Sequence, residues 1–121
     1  MEKKFKSLRQ LETKRHFLSF NIAGFTYHDG CEVFDQLKIG SPLRLIREED
    51  NPHDSNAIAV FFGDTWLGYV PRLKNSDLAL FMDMGYEDLF VARIQQLNPQ
   101  AHPEQQVGAV VYVKKAKKSN S

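Results

Sequence analysis

Six short apolar segments with strand-like periodicity, one helix-like segment between the fourth and fifth, and turn residues at the junctions predict a mainly β, α+β fold. The chain has 121 residues, 42% of them hydrophobic and nine of them phenylalanine, which suffices for one domain with one core. An open sheet of this size would leave edges free to pair with other chains. A curved, mostly antiparallel sheet closed into a small barrel is therefore the expected arrangement.

The elements follow in order. Over residues 5–16, Phe5, Leu8, Leu11 and Arg15 recur at near-helical spacing and predict a short amphipathic helix. Residues 17–23 alternate, with Leu18, Phe20 and Ile22 on one face, as a half-buried strand does. Gly24 to Gly30 is rich in turn residues, and a helical turn is expected at Glu32–Leu37. Gly40-Ser41-Pro42 punctuates the chain before a second strand over 43–47. There Arg44 and Arg47 either point to opposite faces or straddle a bend. A third strand spans 57–62, Gly63-Asp64 signals a tight turn, and 66–70 pairs back as the fourth. Ser76 is the expected cap of a helix running to about Met84, with Leu78, Phe81 and Met82 on its core face and Gly85 at C′. The last two strands are expected over 89–97 and 107–114, joined by a loop holding Pro99 and Pro103. Residues 1–15 read as a basic extension, 16–113 as the barrel domain and 114–121 as a basic disordered tail.

Charge is distributed unevenly. Residues 1–15 hold six Lys or Arg and two Glu, and residues 114–121 hold four Lys and no acid. Residues 16–113 hold six Lys or Arg against thirteen Asp or Glu, a net of −7. A duplex-binding groove needs the reverse, because phosphate contacts supply most non-specific affinity. This speaks against a broad nucleic-acid surface: either the tails provide the phosphate contacts or the domain makes few of them. No apolar run approaches the roughly 20 residues of a membrane span. The N-terminus lacks an apolar signal core, and the one cysteine, Cys31, fits a reducing compartment. The expected location is the cytoplasm.

Most catalytic patterns are missing. There is no phosphate-cradling P-loop and no nucleophile elbow. His28 and Cys31 are spaced like a ligand pair, but no second pair completes a zinc site. Glu48-Glu49-Asp50 with Asp54 could suggest a Mg²⁺-dependent nuclease, although adjacent loop acids more often form a solvated face. The expectation is a protein without enzymatic activity, cofactor or metal. Asn51-Pro52 starts a turn, and Asp54 and Asn56 have short side chains suited to bonding nearby backbone ahead of the third strand. Tyr27 and His28 sit at a strand end beside two glycines, where rings can stand clear of the sheet.

In this order, Ala23-Gly24-Phe25-Thr26-Tyr27-His28, Asn51-Pro52-His53-Asp54-Ser55-Asn56-Ala57-Ile58 and Leu67-Gly68-Tyr69-Val70-Pro71-Arg72 resemble the HIRAN domain. That domain is a small β-barrel found as a DNA-end reader on some Swi/Snf-type DNA translocases, and alone in bacteria. The resemblance covers about 16–97 well and the last strand loosely. It sharpens the fold to a modified OB-like barrel of six strands. It also implies that Asn51 and Asp54 hold a terminal nucleotide, with Asp54 at the 3′-hydroxyl, and that Arg72 is a basic residue of the binding groove. Tyr27 matches a tyrosine of the DNA-binding relatives. His28 and His53 stand where those relatives have tyrosines, Thr26 where they have an arginine, and Tyr69 where they have a histidine. The implied ligand is the 3′-OH end of single-stranded DNA, in an accessory role to repair or processing. A helicase or nuclease is the natural protein partner. The alternative is a regulatory barrel that keeps the fold, binds protein and has lost the end pocket.

Overall fold

The computed structural model describes residues 13–27 and 29–116, and of Tyr27 the backbone alone. Its strands are β1 (Lys14–Asn21), β2 (Pro42–Arg47), β3 (Ile58–Phe62), β4 (Thr65–Tyr69), β5 (Phe90–Leu97) and β6 (Val107–Lys114). A short helix, α1 (Gly30–Val33), lies between β1 and β2, and α2 (Ser76–Asp83) lies between β4 and β5 as expected. The strands form one antiparallel sheet in the order β1-β6-β5-β2-β3-β4.

The sheet curls through two devices. β2 turns a corner: Pro42 and Leu43 pair with β5, while Arg44 to Arg47 pair with β3. Register shifts at His16/Leu18, Val60/Phe61 and Ile94/Gln96 add the local twist that bulges bring. The two outermost strands then approach each other. Closure is not by a ladder, however: Ala23, just past β1, forms a single bridge to Tyr69 of β4, with N···O distances of 2.8 and 2.9 Å. Phe20, Ile22, Ile58, Val60, Leu67, Leu78, Ile94 and Val111 fill the interior.

Several expectations are corrected. The helix over 5–16 falls largely outside the described residues, but Lys14 to His16 are strand, not helix. They pair with Lys114 to Tyr112, so the sheet takes in residues assigned to the basic extension. Helical spacing of a few apolar residues could not reveal a partner about a hundred positions away. The cap of α2 is Asn75 rather than Ser76, and the Asn75 carboxamide does not cap the helix. Phe81 is 41% exposed, while Leu78, Ala79 and Met82 form the buried face. Its ring stacks edge-on against Phe17, at 6.0 Å between centroids. Gly85, with φ 90°, closes the helix as expected.

Candidate nucleic-acid interface

The loop between β2 and β3 is wound on itself by its own polar side chains. Asn51 Oδ1 accepts the His53 and Asp54 N–H groups at 2.8 and 3.2 Å. Asp54 Oδ1 accepts the Asn56 N–H at 2.9 Å. These are two successive Asx turns, the local bonding that Asn and Asp favour. Arg47 closes the base of the loop by donating to the carbonyls of Ala57 (3.1 Å) and Ser55 (2.7 Å). It also donates to Asp83 Oδ2 of α2 at 3.0 Å, with Asp83 Oδ1 2.9 Å from Nε but off the N–H direction. Arg47 is thus a brace between loop and helix rather than a spare cation for a ligand.

Asp54 is anchored on its second oxygen as well. Oδ2 accepts from Asn75 Nδ2 at 2.8 Å and lies 3.8 Å from Arg72 Nε. That explains why Asn75, although it precedes a helix, turns its carboxamide inward and is 1% exposed. Burial acts to raise the Asp54 carboxyl, but the Asn56 and Asn75 hydrogen bonds, with Arg72 and Arg47 nearby, outweigh it. The net shift is downward, so Asp54 is a carboxylate at neutral pH. Each carboxylate oxygen has two lone-pair sites, so the anchored group can still accept from a ligand. Its side chain remains 19% exposed.

Opposite the loop, Tyr69 donates its hydroxyl to Glu48 Oε1 at 2.8 Å, and Asn51 Nδ2 donates to the same oxygen at 3.1 Å. Burial, then the bond and charge of Glu48, push the Tyr69 hydroxyl up to about 12, with Asn51 opposing. Glu48 was expected on a solvated acidic face. It is instead half-buried, and only Glu49 and Asp50 face water. Trp66 packs edge-on against Tyr69, with centroids 5.4 Å apart and an interplanar angle of 85°. Its Nε1 donates to the Gly68 carbonyl at 3.1 Å.

These residues enclose a pocket of about 350 Å³, lined by Ala23, Asn51, His53, Asp54, Ala57, Trp66, Tyr69, Val70 and Arg72. That volume is at the lower end of small-ligand pockets. Five of the seven residues singled out in the sequence, Asn51, His53, Asp54, Tyr69 and Arg72, therefore meet in one place. Arg72 donates to the His53 carbonyl and keeps 68% of its side chain in solvent. Tyr27 ends a 3₁₀ turn at 25–27, two residues past the Ala23 bridge; its side chain, and His28, lie outside the described residues.

Trp66 was missed by sequence reading, and for a definite reason. In a regular strand, positions 66 and 69 point to opposite faces. Here Phe61 pairs with Trp66 and Val60 with Gly68, so Leu67 is the extra residue of a bulge. The bulge re-phases β4 and brings both rings to one side. The only sequence signal was a glycine inside a strand. Among the described residues, no three His, Cys, Asp or Glu side chains gather as a metal site would require. None of the described helices is long and apolar enough to cross a membrane.

The HIRAN domain family model matches residues 16–115. No curated protein matches the sequence. Among solved structures, a protein from Lactobacillus plantarum superposes with a TM-score of 0.71 at 25% identity, covering 83% of this chain and 94% of that one. The HIRAN domain of human HLTF superposes with a TM-score of 0.57 at 18% identity, covering 87% and 84%. With the family model spanning nearly the whole described sheet, the chain belongs to the HIRAN domain family, whose members bind DNA.

Proposed function

We propose that this protein is a non-catalytic cytoplasmic module that holds the 3′-OH end of single-stranded DNA in the pocket between the β2–β3 loop and β4, as an accessory to repair or processing. The observation that carries the reading is the convergence of an ionised, partly exposed Asp54 with Trp66, Tyr69, His53 and Arg72 around one cavity. A carboxylate accepts a strong hydrogen bond from a terminal hydroxyl. It repels a terminal phosphate, which carries more than one negative charge. The aromatic rings stack the last base without regard to its identity, and the exposed Arg72 fork takes a phosphate. Tyr27 and His28 keep the role that the family resemblance gives them, as further ring surface. Asn51 shapes the loop and presents its remaining N–H to the ligand.

Fluorescence anisotropy with one labelled oligonucleotide ending in 3′-OH or 3′-phosphate tests this. The expected result is micromolar binding of the hydroxyl end and at least about tenfold weaker binding of the phosphate end, the scale of one charge-assisted hydrogen bond. Equal binding of the two, or no binding at low salt, would refute it. Trp66→Leu is expected to lower affinity by roughly 1–3 kcal/mol, the contribution of one stacked ring, while leaving the preference between ends unchanged. Anisotropy with the same pair of oligonucleotides checks both halves of that expectation.

A second reading, a protein-binding barrel, is favoured by one observation. Leu80, Met84 and Tyr86, on and just beyond α2, are each more than half exposed, and apolar clusters of this kind often mark protein contacts. A helicase or nuclease partner retained after nuclease treatment and by Asp54→Ala, with no binding of either oligonucleotide, would establish it instead.

A further inference from the structure

We infer that the outer face of β1, β6 and β5 is a second nucleic-acid contact, one that holds strand phosphates and needs no strand end. Residues directly opposite across antiparallel strands share a face. The register places Lys14 opposite Lys114, His16 opposite Tyr112, and Ser19 opposite Val110, which in turn stands opposite Arg93. Lys14, His16, Arg93, Tyr112 and Lys114 therefore lie on one side of the sheet, around a buried Val110, with Phe20, Ala92, Ala109 and Val111 buried on the other.

The net −7 of residues 16–113 leaves most of these cations out, since Lys14, Arg15 and Lys114 lie beyond that window and only Arg93 within it. Strands β1, β5 and β6 contain Lys14, Arg15, Arg93 and Lys114 and no Asp or Glu. Two features of the face are unfavourable for an isolated protein. Lys14 and Lys114 are directly opposed, and like charges so placed are destabilising. Arg93 is half-buried, yet has no carboxylate in salt-bridge range among the described residues. Arginines removed from water are ordinarily paired.

An anion bound here relieves both. A concavity of about 350 Å³ lies among Lys14, Gly40, Arg93, Gln95 and Tyr112. The Lys14 ammonium sits 4.6 Å from the Tyr112 ring centroid. The space where a side chain would stand at Gly40 is open. Lys114 and Val110, in the row of Arg93, are four residues apart on β6, about 13 Å. Lys114 does not line the concavity that Lys14 and Arg93 share, so a ligand that meets all three cations is extended and carries several charges. A ring set between cations suits a base and its flanking phosphates, which favours a nucleic-acid strand over an acidic protein. The inference stands apart from the end-binding pocket, because it concerns the interior of a strand.

The experiment uses the full chain, tails included, with two probes. A circular single-stranded oligonucleotide offers no end and reports this face. A linear trinucleotide with 3′-OH or 3′-phosphate reports the pocket. The Lys14→Gln/Arg93→Gln double variant is expected to bind the circle about tenfold more weakly at low salt. The slope of log K against log salt should shrink by about 1.4, for two phosphates at roughly 0.7 each. Trinucleotide binding and its end preference should not change. Lys114→Gln, which removes the opposed charge at no cost in core packing, should weaken the circle in the same direction without lowering Tm. Wild-type protein that ignores the circle, or a double variant with unchanged affinity and slope, would overturn the inference. Loss of trinucleotide binding with the circle still responding to the variants would remove the pocket reading and leave this one intact.

Discussion

Asp54→Asn is expected to abolish the distinction between a 3′-hydroxyl and a 3′-phosphate while leaving a folded protein. Removing the charge replaces a charge-assisted hydrogen bond by a neutral one, a loss of about 1–1.5 kcal/mol or roughly tenfold in affinity for the hydroxyl end. The same change lifts the repulsion of the phosphate end, so the two affinities converge. The fold bears a separate cost. Oδ1 still accepts the Asn56 N–H, but the new amide faces the Asn75 Nδ2 donor across the former 2.8 Å bond. With Asn75 1% exposed, one of the two amides must turn or lose its partner, at about 1–3 kcal/mol. The exposed Arg72, at 3.8 Å, adds little.

The pH dependence separates these effects. Asp54's carboxyl titrates below its ordinary 3.8. A depressed carboxyl contributes stability above its unfolded value and loses it as pH falls through the folded one. The stability gap between wild type and Asp54→Asn should therefore be constant from about pH 5 to pH 8 and close only in acid. End preference in the wild type should instead grow over that range, because the terminal phosphate gains its second charge near pH 6 while Asp54 stays ionised. Thermal melts and anisotropy on the same samples measure both. A variant that still rejects the phosphate end would show that Asp54 is only a loop anchor.

What the sequence disclosed was local. The Asx turns at Asn51 and Asp54 need partners two or three residues away, and their residue types announced them. The β6 boundaries, the Gly63-Asp64 hairpin and Gly85 at the end of α2 were legible for the same reason, since each depends on dihedral preference or periodicity within a short window. The site also involves pairs 21 residues apart, Glu48 with Tyr69 and Asp54 with Asn75. No periodicity encodes those. Asn75 drew no reading beside the expected Ser76 cap, and Glu48 reads as one acid of a solvated run. Trp66 was hidden by a bulge that inverts the alternation, and β1 by a partner strand at the other end of the chain. The resemblance in three segments brought Asn51, His53, Asp54, Tyr69 and Arg72 together before any coordinates did. It carried no information about Trp66, or about the cationic face on β1, β5 and β6.

Gly68→Ala is expected to be strongly destabilising. Gly68 adopts φ 152°, where side-chain-bearing residues are rare. A Cβ there would fall on the Ala23 carbonyl oxygen and lie 2.8 Å from Ile22 Cγ2. The carbonyl belongs to backbone already fixed by the Ala23–Tyr69 bridge, so it cannot rotate away as a side chain could. Either β4 retreats and loses that bridge, or Ile22, Leu67 and Val70 repack at the seam of the sheet. Backbone strain of about 1–2 kcal/mol and overpacking of about 1–3 kcal/mol give a loss near 3 kcal/mol, or more than 10 °C in Tm for a domain of this size. Gly63→Ala is the matched control. It shares a positive φ, 57°, but nothing lies within 4 Å of its added carbon, so only the strain, about 1 kcal/mol, remains. Urea denaturation of both variants isolates the contact at the seam, and equal midpoints would show that the Ala23–Tyr69 bridge contributes nothing to closing the sheet. Because Ala23 and Tyr69 also line the pocket, Gly68→Ala should weaken hydroxyl and phosphate ends together, whereas Asp54→Asn changes the choice between them.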